Sequence, residues 1–200
     1  MNSDGSRGPY TKGIAKRREL LREALRAYAE SGASGPSLRA VAERVGLSER
    51  GLLHYFSSRA QLLVSILAER DQALRASFSE TDSIDVLLEV VESQLDTPGL
   101  ARLFLEMSAD SPDPAHPAHD FFVDRYSRLL PLVQSMLDRS APADDPIEVA
   151  PSSADDLWAA RMLIAAADGL QIQWLLDPSI DPRSDLDRLS RAIRRSAIPG

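Results

Sequence analysis

The sequence predicts an all-α fold, a three-helix N-terminal head containing a helix-turn-helix joined to a larger C-terminal helical bundle. Three observations carry this. Apolar residues recur at i, i+3 and i+4 in every segment long enough to be regular. The 13 prolines fall mainly between those segments rather than within them. Residues 37–63, SLRAVAERVGLSERGLLHYFSSRAQLL, read as two short helices around a Gly-containing turn and the start of a third. Two hundred residues at 44% hydrophobic content can bury a sizeable core. No cysteine is present, so a disulfide framework and Cys-based zinc are excluded, in keeping with a reducing compartment. No apolar run approaches the ~20 residues that span a bilayer. The opening MNSDGSRGPYTKG lacks a signal-peptide core and reads as a basic tail. The cytoplasm is expected.

The first helix is expected over about 13–31, with Ile14, Leu21, Leu25, Tyr28 and Ala29 inward and Lys16, Arg17, Arg18, Arg22 and Arg26 on the other side. That basic side is either a solvated face or, in part, a grip on a phosphate backbone. Ser31 to Pro36 ends the helix. In the motif, Ser37 caps a helix that buries Leu38, Val41, Ala42 and Val45, and Gly46 supplies the left-handed residue for a sharp stop. Ser48 caps the next helix, which buries Leu52 and Phe56 while Glu49, Arg50 and His54 point elsewhere. Ser58-Arg59-Ala60-Gln61 has the form of a capping box. The third helix is expected to continue through Leu63, Ile66, Leu67 and Leu74 to Phe78. Charge separates this helix-turn-helix from a generic helical hairpin. Residues 1–59 hold 11 Lys or Arg against 6 Asp or Glu, a net of +5, and the remainder holds 12 against 24, leaving −7 overall. A basic head on an acidic chain is the footprint of a polyanion site, and DNA is the expected partner.

Further helices are expected over Ile84–Leu95, Leu100–Met107, Phe121–Leu137 (kinked at Pro131), Leu157–Leu176 and Ser184–Ile198. Thr97-Pro98-Gly99 separates the first two, DSPDPAHPAHD forms a loop, and SAPADDPIEVAPSSADD forms a second, acidic loop. There is no internal repeat.

Residues 13–63 resemble the DNA-binding head of the TetR family of transcriptional repressors. The resemblance rests on Ser37, Val41-Ala42-Glu43, Val45-Gly46-Leu47-Ser48, Leu52, Phe56, Ser58-Arg59 and Leu62-Leu63. The string DGLQIQWLLDP, followed by Asp181, resembles the penultimate helix of many members. The sequence departs from the pattern at Arg50, where Gly is frequent, at Leu53, commonly Tyr, and at Tyr55, frequently His. Leu53 lacks the hydroxyl that usually meets a phosphate, which leaves Tyr55 and Arg59 as candidates. The resemblance implies that Glu49, Arg50 and His54 approach base edges in the major groove. The full DNA-facing set is Ser37, Arg39, Ser48, Glu49, Arg50, Gly51, His54, Tyr55 and Arg59. It implies domains at 1–60 (DNA-binding) and 61–200 (ligand-binding and dimerisation), and a repressor released from palindromic operator DNA by a small-molecule effector.

Phe104, Met107, Phe121, Phe122, Tyr126, Trp158, Met162 and Trp174 either line a cavity or form plain core, and Asp168, Gln171 and Gln173 would orient a ligand there. Ala159, Leu163, Ala166, Leu170, Leu189 and Ile193 are expected to form the seam of a homodimer. His116 and His119 form H-x-x-H beside Asp110, Asp113 and Asp120, but irregular spacing and the lack of thiolates favour a solvated loop, so no metal or other cofactor is expected. Catalysis is not expected: there is no Gly-rich phosphate loop, no G-x-S-x-G and no Cys nucleophile. The rival reading is a helical protein–protein adaptor in which the basic head is only a solvated surface.

Overall fold

The computed structural model describes residues 9–76, 78, 83–139 and 153–196. Residues 1–8 of the N-terminal tail and 140–152 of the acidic loop lie outside them. Among the described residues the chain forms nine helices, α1 (Pro9–Ala29), α2 (Leu38–Arg44), α3 (Glu49–Leu53), α4 (Arg59–Arg75), α5 (Ile84–Leu95), α6 (Pro98–Asp110), α7 (His119–Arg139), α8 (Ser153–Leu176) and α9 (Pro182–Ser196). The all-α expectation holds. Differences are at the ends. Proline's fixed φ suits a first helical turn, and α1, α6 and α9 each begin on one. Helix α8 starts four residues before Leu157, and α4 stops at Arg75, so Phe78 lies beyond the helix. Pro131 sits inside α7 with its ring exposed.

The turn between α2 and α3 closes as its sequence requires. Gly46 has φ +70°, its N–H donates to the Glu43 carbonyl at 3.1 Å, and the Leu47 N–H donates to the Ala42 carbonyl at 2.9 Å. These are the two bonds of a Schellman stop, which needs a left-handed residue after the helix. Ser37, Ser48 and Ser58 each cap the following helix by accepting from the backbone N–H three residues on, at 3.1, 3.1 and 3.0 Å. The expected capping box at Ser58 closes on one side only, because the Ser58 N–H donates to the Phe56 carbonyl. That tight turn places Ser57 at φ +59°.

Two cores result. The first gathers Leu20, Leu21, Ala24 and Tyr28 of α1, Val41 and Ala42 of α2, and Leu52 and Phe56, against Leu62–Leu67 of α4. It continues without a break into Leu100, Leu103, Phe104 and Met107 of α6 and Phe122 of α7. The second joins α5, the C-terminal half of α7, α8 and α9 through residues such as Leu88, Val133, Leu163 and Leu186. The expected domain boundary at residue 60 therefore falls in the first turn of α4, a helix whose apolar side belongs to the head's own core. Gly99, in the first turn of α6, sits against the end of α1, where a Cβ would lie 2.0 Å from Ser31 Oγ and 2.5 Å from the Tyr28 carbonyl oxygen. Only a residue without a side chain lets these two helices meet so closely.

Candidate nucleic-acid interface and internal cavity

Burial of Leu52 and Phe56 fixes the rotation of α3, and that rotation puts Glu49, Arg50 and His54 at the surface. Arg50 makes no ion pair among the described residues. His54 packs edge-on to Tyr55, with ring centroids 5.9 Å apart. Tyr55 is half-buried, and Gly51 sits over the capping Ser48 hydroxyl, where a Cβ would lie 3.3 Å from it. At the start of α2, Ser37 holds its cap and the exposed Arg39 pairs with Glu43 at 2.8 Å. These residues all lie in α2, α3 and their flanking turns.

Arg59 departs from expectation. Its guanidinium turns toward the body and pairs with Glu106 of α6 at 3.2 Å, so it ties α4 to α6 rather than projecting with the α3 residues. Arg17, read as part of the basic surface, points inward. It donates from Nε to the Tyr55 carbonyl at 3.3 Å and from Nη2 to Ser65 Oγ at 3.1 Å, and its guanidinium carbon lies 4.7 Å from the Phe56 ring centroid. A cation over an aromatic face, with two hydrogen bonds, stitches α1 to the end of α3 and to α4. Lys16 and Arg26 pair with Glu19 and Glu23, and Arg44 grips Glu30 through both terminal nitrogens. Arg18 and Arg22 remain exposed without an ion pair among the described residues.

Between the two cores lies a cavity of about 110 Å³. Of the eleven residues expected there, Phe104, Phe121, Asp168, Gln171 and Trp174 line it, and Tyr126 reaches it by donating its hydroxyl to Asp168 at 2.7 Å. The other five do not, and Gln173 among them is exposed. Met107 and Phe122 belong to the first core and Met162 packs on the second. Trp158 is 52% exposed, near the other end of α8. The sequence reading missed Arg70, Asp71, Leu74 and Arg125, all of which line the wall. A signal existed: Arg125 lies four residues from both Phe121 and Leu129, so the α7 stripe that carries apolar residues inward carries a cation with them.

The polar side of this cavity is crowded with charge. Asp71, which is buried, accepts from Arg125 Nη1, lies 3.4 Å from Arg128 and 3.6 Å from Arg75. The Arg125 guanidinium stands 5.2 Å from the Phe104 ring centroid. Burial raises the Asp168 carboxyl above its usual range, against the opposing pull of the Tyr126 hydroxyl and Arg125. Burial also raises the Tyr126 hydroxyl, with Asp168 adding to the effect. Burial holds Arg70 down to about 10, Arg125 adds to the depression and Asp71 opposes it.

The residues expected at a dimer seam divide by their burial in the protomer. Ala159, Leu163 and Ile193 are buried in the protomer's own second core, and Ala166, Leu170 and Leu189 pack against it. The first three face inward where α8 packs against α7 and α9, and the other three keep part of their surface open. His116 and His119 serve their loop: His116 Nδ1 accepts from the Ala118 N–H at 3.3 Å, and His119 Nδ1 lies 2.9 Å from the Ser111 carbonyl oxygen. Among the described residues, no helix is long and apolar enough to cross a membrane.

Comparison with known proteins meets this geometry. Residues 20–66 match the family model described as "Bacterial regulatory proteins, tetR family". HTH-type transcriptional regulator PksA of Bacillus subtilis is 29% identical over 191 residues, covering 89% of this chain and 86% of that one. HTH-type transcriptional repressor AcnR of Corynebacterium efficiens is 34% identical over 87 residues, 44% of each chain. The fold is shared with a TetR transcription regulator from Haloarcula marismortui, at TM-score 0.65 and 18% identity over 92% of this chain and 97% of that one. The matched segment begins at the buried Leu20 and ends at the buried Ile66, so it spans the capped helix-turn-helix and the two helices that support it; this head is that of the tetR family of bacterial regulatory proteins.

Proposed function

We propose that this chain is a dimeric transcriptional repressor of the cytoplasm, which reads a palindromic operator through α3 and leaves it when a small molecule occupies the cavity between the two cores. The observation that carries the DNA reading is the presentation of Glu49, Arg50 and His54 on a doubly capped helix whose opposite side is locked into the core. Arg50 is the base-reading residue, since a free guanidinium matches the two acceptors of guanine. Ser37, Arg39, Ser48, Gly51 and Tyr55 flank it, and the exposed Arg18 and Arg22 replace Arg59 as the nearby cations for phosphates. A pure protein adaptor would not require this arrangement of polar side chains.

One short recognition helix offers few base contacts, so two heads about 34 Å apart are needed to meet successive major grooves. A different side of α8 supplies the seam. Trp158, Ala165, Gly169, Ile172 and Leu176 fall on one line along the helix, and Trp158, Ile172 and Leu176 are 52%, 46% and 82% exposed. Large apolar side chains aligned in this way are covered in a symmetric pair.

Release follows from α4. Its first turn packs in the head and its last two turns, through Leu67, Arg70 and Leu74, form the cavity wall. A ligand that displaces this end of α4 tilts the head through Ser58 and the Arg59–Glu106 pair. A differential of 1–3 kcal/mol between the two head spacings weakens operator binding roughly 5–150-fold. The test is binding to a duplex selected from a random pool. Arg50→Ala should weaken the selected site by about 1–3 kcal/mol while leaving non-specific binding intact. Unchanged affinity for the selected duplex would sink the reading of α3.

A further inference from the structure

Two buried guanidinium nitrogens on residues that line the cavity have no hydrogen-bond partner among the described residues. Arg70 lines the wall and its Nη2 is fully buried without a hydrogen bond, as is Nε of Arg125. The carboxylate beside them is already committed: Asp71 serves Arg75, Arg125 and Arg128, and Arg128 further pairs with Asp124 at 2.8 Å. Four guanidiniums thus face three carboxylates, counting Asp168 across the cavity, and burial already disfavours the charged form of Asp168. A buried donor left open costs free energy, and a buried cation left unpaired costs more. Apart from Gln94 and Gln171, which bond to each other at 3.3 Å, the rest of the lining is mainly apolar, with Leu67, Leu74, Leu88, Phe104, Phe121 and Trp174 in it.

We propose that the cavity takes a compact organic acid, an apolar ring or short branched chain whose carboxylate pairs with Arg70 beside Arg125. This rests on the cavity being the effector site. Each open donor can give one charge-assisted hydrogen bond to a carboxylate oxygen. A dianion such as a phosphate monoester is disfavoured by Asp71 and Asp168, both within the same wall. Size limits the apolar part. A 150 Å³ cavity in another protein holds benzene, so about 110 Å³ takes a short chain as it stands and a single ring only as the walls give way. Burial and then the neighbouring Arg125 depress Arg70, and a bound carboxylate would oppose that depression.

The experiment is calorimetric titration of the full chain with benzoate, phenylacetate and 3-methylbutanoate, each beside its neutral amide, with melting temperature and operator affinity measured in parallel. The acids should bind saturably and about tenfold or more tighter than the amides. Arg70→Met should keep or raise the melting temperature, because it removes an unpaired buried cation, and should abolish the preference for acid over amide. Arg70→Lys should keep the preference in weakened form. If Arg70→Met does not fold, the wild-type comparison of acid with amide and the Arg70→Lys variant decide the matter. No saturable binding of any of the three acids at millimolar concentration, amides binding as tightly as acids, or an unchanged preference in Arg70→Met would each overturn the proposal. Operator affinity separates the two readings. Acids that bind through Arg70 yet leave operator affinity unchanged support the acid site and refute release. Amides that release operator while the acids do not bind support release and refute the acid site.

Discussion

Replacing Gly99 with alanine tests whether head and body are joined as tightly as the packing implies. The new methyl would stand 2.0 Å from Ser31 Oγ, 2.5 Å from the Tyr28 carbonyl oxygen and 3.0 Å from the Ser31 carbonyl oxygen. The hydroxyl can rotate away, but it then loses its 2.8 Å bond to the Tyr28 carbonyl, at about 0.5–1.5 kcal/mol. The Tyr28 carbonyl cannot rotate, because it belongs to the last turn of α1 and also accepts from the Ser31 N–H. An ordinary carbon–oxygen contact is about 3.3 Å, so α6 and α1 must separate by roughly 0.8 Å. Such overpacking costs about 1–3 kcal/mol. Alanine's better helix propensity returns at most ~1 kcal/mol, and less in a first turn. The net loss is about 1–3 kcal/mol, a fall in melting temperature of roughly 2–12 °C for a chain of this size. Gly13→Ala is the control, since a Cβ at that position of α1 meets nothing within 4 Å, and it should gain about 0.5–1 kcal/mol. Thermal unfolding followed by circular dichroism reads both. If Gly99→Ala were as stable as wild type, the close approach of α6 to α1 would be wrong.

Other consequences follow from the same coordinates. Ser57 is exposed and left-handed at φ +59°, so Ser57→Gly should stabilise by about 1 kcal/mol in chemical denaturation; a destabilised variant would show that the hydroxyl has a role not accounted for. Tyr126→Phe removes the donor to Asp168 and should cost about 1–3 kcal/mol at pH 7. The folded Asp168 carboxyl sits above its unfolded value, so its charged form penalises the fold above that folded value, and the penalty fades as pH falls toward the unfolded one. The Tyr126→Phe deficit should therefore shrink between pH 7 and pH 4, and a deficit constant with pH would refute an ionised Asp168 as the acceptor. Ile172→Glu with Leu176→Glu places charge on the exposed line of α8. Sedimentation should then show monomer at micromolar concentration, whereas a variant that still dimerises would move the seam elsewhere.

The helix-turn-helix was determined by the sequence itself, because every device in it is local. A cap needs one hydroxyl three residues from an N–H, and a Schellman stop needs Gly46 one residue past the end of α2. Two buried residues four apart, Leu52 and Phe56, then orient Glu49, Arg50 and His54. The helices of the body were equally legible from their period. Which residue meets which across helices was not, because periodicity marks an apolar side without naming its neighbour. Ala159, Leu163 and Ile193 read as a seam, yet they are the protomer's own core. Trp158 read as a pocket wall and is open to solvent. Arg17 and Arg59 read as surface cations, but one closes the head and the other ties α4 to α6. Arg70 and Arg125 face inward only because α4 and α7 pack with α5, α6 and α8 around one space, and Gly99 matters only because α6 begins against the end of α1. Local hydrogen bonding and period lie within a few residues of sequence, whereas cavity, seam and close approach are relations between helices far apart in the chain, and only the tertiary packing sets them.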